Sequence, residues 1–323
     1  MGIKSYKATK DNTITNGFKL TSATRGTGSN MGASDILEVY SIYGQQTTSS
    51  VELSRVLIQF PINEVSSDRN TGNIPAKGNV NFYLRMFNAR HSEQLPRDFT
   101  VNVLAVSQSW QEGYGLDMDG YSDETEDSIE GSNWMNANNT FTAANAQLWL
   151  KANTGTGSLV GQTLGLTDAS GISQTFTFTD DLVRTGGSIG VSGSSNTTET
   201  IGTIKTAINN ISALGITAGT IVSQDTNNNQ WLTLTQDSTG YAGNTAIISS
   251  LESKFSGSDA AYDGALPAGF LNGSGRWATV GGDYHTSAYT PSLTMPNYTF
   301  KFEDGDEDLL VDVTDAVEEW VAS

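Results

Sequence analysis

Four carboxylates, Asp117, Asp119, Asp123 and Asp127, fall within the single run DMDGYSDETED. Closely spaced acidic oxygens on a loop are what a hard cation such as calcium takes as ligands. The glycine of this run follows only two acidic positions, which is not the EF-hand spacing. Two readings therefore stand side by side: a calcium site on Asp117, Asp119 and Asp123, and a solvated acidic loop. A second acidic run, EDGDED at Glu303–Asp308, allows the same pair. The other residues suited to chemistry are aromatic: Trp110, Tyr114, Tyr121, Trp134 and Trp277 lie in or beside loop-like sequence. An exposed ring there stacks on a sugar, flanked by Asp and Asn as hydrogen-bonding partners. A buried one wedges its loop onto the body of the fold. Tyr114, Tyr121, Trp134 and Trp277 are the stacking candidates, whereas Trp110 and Trp320 are expected to serve the core.

For catalysis the sequence offers little. Its two histidines, His91 and His285, stand in polar sequence without a nucleophile motif beside them. GxSxG, HExxH and phosphate-cradling glycine loops are missing. A carboxylate pair for glycoside hydrolysis can be drawn from any acidic chain, so a polysaccharide-degrading enzyme is only a remote alternative to a non-enzymatic protein. The formal charge of −18, from 35 acidic and 17 basic residues, opposes binding to nucleic acid or to anionic membrane surfaces. With no cysteine, disulfides and zinc–sulfur sites are excluded. The opening MGIKSYKATKDNTI carries no apolar core for a signal peptide, and no later window is long and apolar enough to span a bilayer. The protein is expected to fold in a cytoplasm.

The elements that must position these residues read as β-strands. Frequent glycine, rare proline and abundant Ser, Thr and Asn between apolar runs describe short strands joined by turns. The strongest is Ser54–Ile62, SRVLIQFPI, in which Val56, Ile58, Phe60 and Ile62 alternate as one buried face. A polar loop follows. Next come NVNFYLRMFNA, with Phe82, Leu84 and Met86 on one face, and Phe99–Val106. Strands separated by polar loops without helical periodicity predict an antiparallel sandwich. Residues 111–139 read as one long loop.

From Phe141 to Gly275 the texture changes to that of a small α/β module. Its strands are expected at 164–166, 173–180, 189–191, 216–223 and 231–236. Between them Ile201, Ile204, Ile208 and Ile211 recur at helical spacing, with Gly215 as the expected stop. Past Gly275 the first texture returns: the strand NYTFKF, an acidic hairpin-like turn, a strand through Leu309, Val311 and Val313, and a terminal helical turn capped by Thr314. The fold class expected is mainly β, a jelly-roll sandwich formed by residues 1–140 and 276–323 and interrupted by an inserted α/β domain at 141–275. Exposed loops tolerate such insertions best.

The ordered set KDNTI (10–14), SRVLIQFPI (54–62), NFYLRMFNA, FTVNVLAV, SWQEG (109–113), NW (133–134) and VDVTDAVEEWV (311–321) resembles the DNRLRE-type carbohydrate-binding-like jelly-roll domain. The inserted part, through QTFTFTDD, AINN, GITAGTIVSQD and LTLTQDSTGYAGNT, resembles a surface module of bacteriophage proteins and flagellins. TRGTGSNMGASDILEVYSIYGQ, joined to both, is similar to virion structural proteins of marine cyanophages. These resemblances imply a capsid-decoration or tail-associated protein of the virion that touches other virion proteins, self-associates, and on the alternative reading binds host surface polysaccharide. They also imply a structural calcium between first and last strands, held by Asp11 and Asp312.

Overall fold

A computed structural model of the chain describes residues 2–18, 25–43, 51–89, 96–116, 131–150, 156–223, 230–250, 269–285 and 298–322. Asp117, Asp119, Tyr121, Asp123, Asp127 and His91 lie outside these. In chain order the elements are β1 (Lys10–Thr15), β2 (Ser41–Tyr43), β3 (Val51–Gln59), α1 (Ile62–Asn70), β4 (Tyr83–Met86), β5 (Phe99–Val103) and β6 (Ala143–Leu150). They continue with β7 (Thr163–Thr167), β8 (Ser173–Thr179), β9 (Ser188–Gly190), α2 (Thr197–Asn209), β10 (Ile216–Ser223), β11 (Gln230–Thr239) and β12 (Ile248–Ser249). The last are β13 (Tyr298–Phe302), β14 (Leu309–Asp312) and α3 (Thr314–Ala322). The fold is mainly β and sandwich-like. It divides into two compact units, Met1–Asn139 with Val280–Ser323, and Thr140–Thr279.

In the first unit β3 lies between β1 and β2, antiparallel to both, with Lys10 opposite Gln59 and Thr15 opposite Ser54. Its periodicity misled about depth. The buried positions are Ser54 and Leu57, while Val56 and Ile58 are half-buried and the strand ends at Gln59. Arg55 and Leu57 share a face, and the loop bearing Trp134 covers it, with the Arg55 guanidinium 5.1 Å from the indole. Nor does β3 pair with the end of the chain, as a strand completed by the last residues would. That pairing falls to β4 with β14 and β5 with β13.

Those two ribbons enclose an apolar layer. Phe302, Leu309 and Val311 are buried there among Leu84, Met86, Phe99, Val101 and Val103, and Phe99 stacks on Phe302 at 4.6 Å. EDGDED is therefore not a hairpin turn, because it carries the chain from one ribbon to the other.

Two helices close this unit. Residues 62–70, expected as strand end and polar loop, form α1. INEVSSDRN has no apolar stripe and buries Val65 and Asp68, so tertiary contacts hold the helix. Arg69 makes a two-pronged ion pair with Glu318 of α3, and Asp68 accepts from Lys4, Tyr6 and Asn73. Val317, with Val313, Trp320 and Val321, packs against Val65 and Ile74. Thr314 is the first residue of α3 rather than its cap. The Asp312 carboxylate receives the Thr314 N–H at 3.0 Å, and the Thr314 hydroxyl bonds to Asp312 at 2.6 Å.

The second unit has two sheets, in the orders β10-β11-β6 and β12-β7-β8-β9, with α2 packed on β9, β10 and β11. Its core is continuous and apolar: Leu148, Leu164, Phe176, Phe178, Ile201, Ile204, Ile208 and Leu232 are all fully or almost fully enclosed. Asn196 caps α2 by accepting the Glu199 N–H, and the Glu199 carboxylate returns to the Ser195 N–H at 2.7 Å. The helix stops at Asn209, well short of Gly215, with Asn210 as its C-cap. β6 was hidden in sequence. Ala144, Ala146, Leu148 and Leu150 alternate inward, but the alanines give too weak an apolar signal.

Candidate functional site

The residues best placed to act together in the first unit surround β1, where Asn12, Thr13, Ile14 and Thr15 are all buried. A strand buried on both faces normally reads as an apolar run. This one is polar because loops, not a sheet, cover it, and loops present backbone groups that need partners. The Asn12 amide donates to the Ser132 carbonyl and hydroxyl, both at 2.9 Å, and its oxygen accepts the Met31 N–H at 3.0 Å. One side chain thus joins β1 to two loops distant in sequence. Asn30 accepts the Gly115 N–H at 2.9 Å, and Asn133 accepts from Met135 and Asn136.

Glycines allow the loops to come this close. A Cβ on Gly113 would overlap the Asn30 side chain, one on Gly115 the Asn30 carbonyl, and one on Gly131 (φ +100°) the backbone of Gly113. The segment Gly113–Tyr114–Gly115 is thereby clasped by its backbone while the Tyr114 ring stays 66 % exposed. Of the sequence-predicted stacking residues, Tyr114 alone among those described presents a ring to solvent. Trp134 and Trp277 are 6 % and 4 % exposed, so in this structure neither ring has a face to offer a sugar. They also fall in different units. Trp134 is a wedge: its main-chain N–H donates to the Thr27 carbonyl, its carbonyl accepts from the Gly281 N–H, and Arg55 covers its ring while bonding the Gly281 carbonyl. Trp110 is buried, as expected, with Lys10 over its ring.

Two of the described carboxylates, Asp312 and Glu307, bond to backbone N–H groups of their own neighbourhood. Asp11 lies in β1 and Asp312 in β14, strands that do not pair, and among the described residues no group of three or more His, Asp or Glu could hold a metal ion. Burial, and then the nearby Glu112 charge, raise the Asp11 carboxyl above its ordinary range. Asp312 serves α3. In EDGDED the Glu307 carboxylate accepts the N–H groups of Glu303, Asp304 and Gly305 at 2.8–2.9 Å. These bonds, that of Asp304 foremost, hold it down at about 2. Its oxygens are thus engaged by backbone donors. Burial lowers the His285 imidazole, and its N–H of the main chain donates to Ala105.

Sequence reasoning missed the asparagine–glycine hub. Its signals were the polar run DNT preceding Ile14, unlike a half-buried strand, and the glycines bracketing Tyr114.

No family model matches the chain, and no curated protein does. Among solved structures it is similar to the flagellar cap protein FliD of Escherichia coli. Against the D1-D2-D3 domains the identity is 18 % and the TM-score 0.26, covering 58 % of this chain and 57 % of that one. Against D2-D3 the identity is 15 % and the TM-score 0.26, covering 67 % and 99 %. The chain thus spans little more than half of the longer FliD fragment, and a likeness at this score carries no argument about function.

Proposed function

We propose that this chain is a non-enzymatic structural protein of a bacteriophage virion, a capsid-decoration or tail- or neck-associated component on the particle surface. The observation that supports this reading is the use of the polar side chains. Asn12, Asn30, Asn133 and Glu307 are each spent on backbone groups of distant or neighbouring loops, and Asp312 on the first turn of α3, which suits a scaffold stiffened without cysteine. The sequence resemblance to cyanophage virion proteins points the same way. Other virion proteins and further copies of this chain are then its partners, with nucleic acid and membrane insertion set aside. Among the described residues no helix is long and apolar enough to cross a membrane. Mass spectrometry of purified particles tests the reading: the chain is expected there in stoichiometric amount, and its absence from mature particles would overturn it.

One observation favours a second role, glycan binding during host attachment: the Tyr114 ring displayed on its glycine clasp. Tyr114→Ala is expected to abolish saturable binding to host surface polysaccharide and leave the melting temperature unchanged. Wild-type protein silent on host cells and on a broad glycan array ends that reading. Calcium at Asp117, Asp119 and Asp123 is tested separately, by a rise in melting temperature on adding the ion that Asp119→Asn removes.

A further inference from the structure

The small sandwich of the first unit has two outer faces of opposite character. That of the β5–β13 ribbon carries Thr100, Asn102, Thr299 and Lys301, all exposed and polar. That of the β4–β14 ribbon carries Tyr83, Phe87 and Leu310, exposed by 55, 71 and 53 %. Alternation places Tyr83, Arg85 and, just past the end of β4, Phe87 on this face, with Leu310 and Asp312 of β14 beside them. Arg85 stands opposite Leu310 and Tyr83 opposite Asp312. Asp308 closes the patch, 3.3 Å from Arg85 and bonded to the Asn88 N–H. Solvation explains the first face. It does not explain two aromatic rings and a leucine on the second.

We propose that the β4–β14 face is a self-association surface that takes the same face of a second copy of this chain. This deepens the structural-assembly reading and rests on it. The argument is the arrangement of charge. One column of the patch reads Tyr83, Arg85, Phe87 and the other Asp312, Leu310, Asp308. A second copy turned about a two-fold axis parallel to the strands lays its acidic column over the aromatic–cationic one. The aliphatic stem of Arg85 then rests on the partner copy's leucine, with its guanidinium between two aspartates, and the same contacts recur in reverse. A two-fold interface has to be self-complementary in this way. Arginine and aromatic residues are the groups that carry binding energy at such contacts. The ribbon is narrow, so the pair is weak alone and gains strength where many copies are held side by side.

With each copy at −18, long-range repulsion opposes the contact and is screened within about 10 Å at 0.1 M salt. Association therefore strengthens as salt rises, whereas a basic partner on the same face would be lost. Sedimentation velocity on the full chain across a wide concentration range decides the matter. Reversible dimers are expected, weakened roughly thirtyfold by Phe87→Ser and roughly tenfold by Arg85→Glu. Asn102→Ser on the opposite outer face leaves them unchanged. Both patch residues point away from the core, so unaltered melting temperatures show that the variants fold. A chain monomeric at every concentration and salt, or dimers indifferent to Phe87→Ser, overturns the proposal. So does a monomer whose patch captures a polycation or a glycan instead. Absence from purified particles would refute the virion reading while leaving a Phe87-dependent dimer standing, so the two failures are separable.

Discussion

The two units reach rigidity by different physics. The second closes an apolar core in which Phe176, Phe178, Ile201 and Ile204 are almost wholly removed from water, and α2 contributes an apolar stripe to it. The first divides its apolar residues among a thin ribbon sandwich, a patch beneath α1 and α3, and side chains such as Ile14, Leu57, Trp110 and Trp134 around β1, where hydrogen-bonded asparagines tie the loops together. Apolar burial is non-directional and tolerates small displacements. A buried amide bonded to three groups does not, since a lost partner leaves polar atoms dry and unpaired. The first unit is therefore specified by geometry and the second by volume.

The largest effect that separates them is expected in the second unit. Phe176→Ala opens a cavity in a closed core and costs about 3–5 kcal/mol. Calorimetry should show one transition falling steeply while the transition of the first unit holds its place. A single shared transition that moves as a whole would mean the units do not fold independently. Next in size is Asn12→Ala, which orphans the Ser132 carbonyl and leaves the Met31 N–H with the Thr13 carbonyl alone, at 3.1 Å, at a cost of roughly 2 kcal/mol. It should lower the other transition and speed amide exchange at Met31. Equal exchange in the two proteins would show that water replaces the amide and that the hub is not a staple. Gly113→Ala drives a methyl into the Asn30 side chain, and about 1–3 kcal/mol is expected as the loop shifts. Because Tyr114 rides on that loop, the same substitution should also weaken any glycan binding.

What was legible in the sequence follows from the same contrast. The helix of the second unit was readable because Ile201, Ile204 and Ile208 all face one core. The inward faces of β4, β5, β13 and β14 were readable because each lines a single apolar layer. In β3 alternation gave the right strand and the wrong depth, since periodicity reports residue type and the covering loop decides burial. α1 was unreadable: its stability resides in Arg69–Glu318 and in Lys4 and Tyr6, which donate to Asp68, all partners more than 60 residues away in sequence. The glycine clasp under Tyr114 was visible only as composition, because no local rule says which loop will be pressed against which. Trp134 shows the limit of reading aromatics near loops as binding platforms, since the loop it belongs to folds it inward.

The smallest and most selective test is acid. In the first unit Asp68 is held at about 2 by Lys4, then by Asn73 and Tyr6, and Glu307 at about 2 by backbone donors. Their ordinary values are 3.8 and 4.5. A carboxyl depressed on folding adds stability that is fully present above its unfolded value and vanishes as pH falls through the folded one. Both contributions are therefore intact at neutral pH and are lost between roughly pH 5 and 2. Asp11, raised by burial, works in the opposite sense and offsets part of the loss as it takes up a proton. In the second unit Glu199 is depressed, chiefly by the Ser195 N–H. The transition of the first unit should thus move further in acid than that of the second. Glu307→Gln should flatten that pH slope, because an amide keeps one acceptor oxygen and has no proton to gain. Equal slopes for the two transitions, or a slope untouched by Glu307→Gln, would show that the nest around Glu307 contributes nothing that depends on its charge. The contrast between the units would then rest on the asparagines alone.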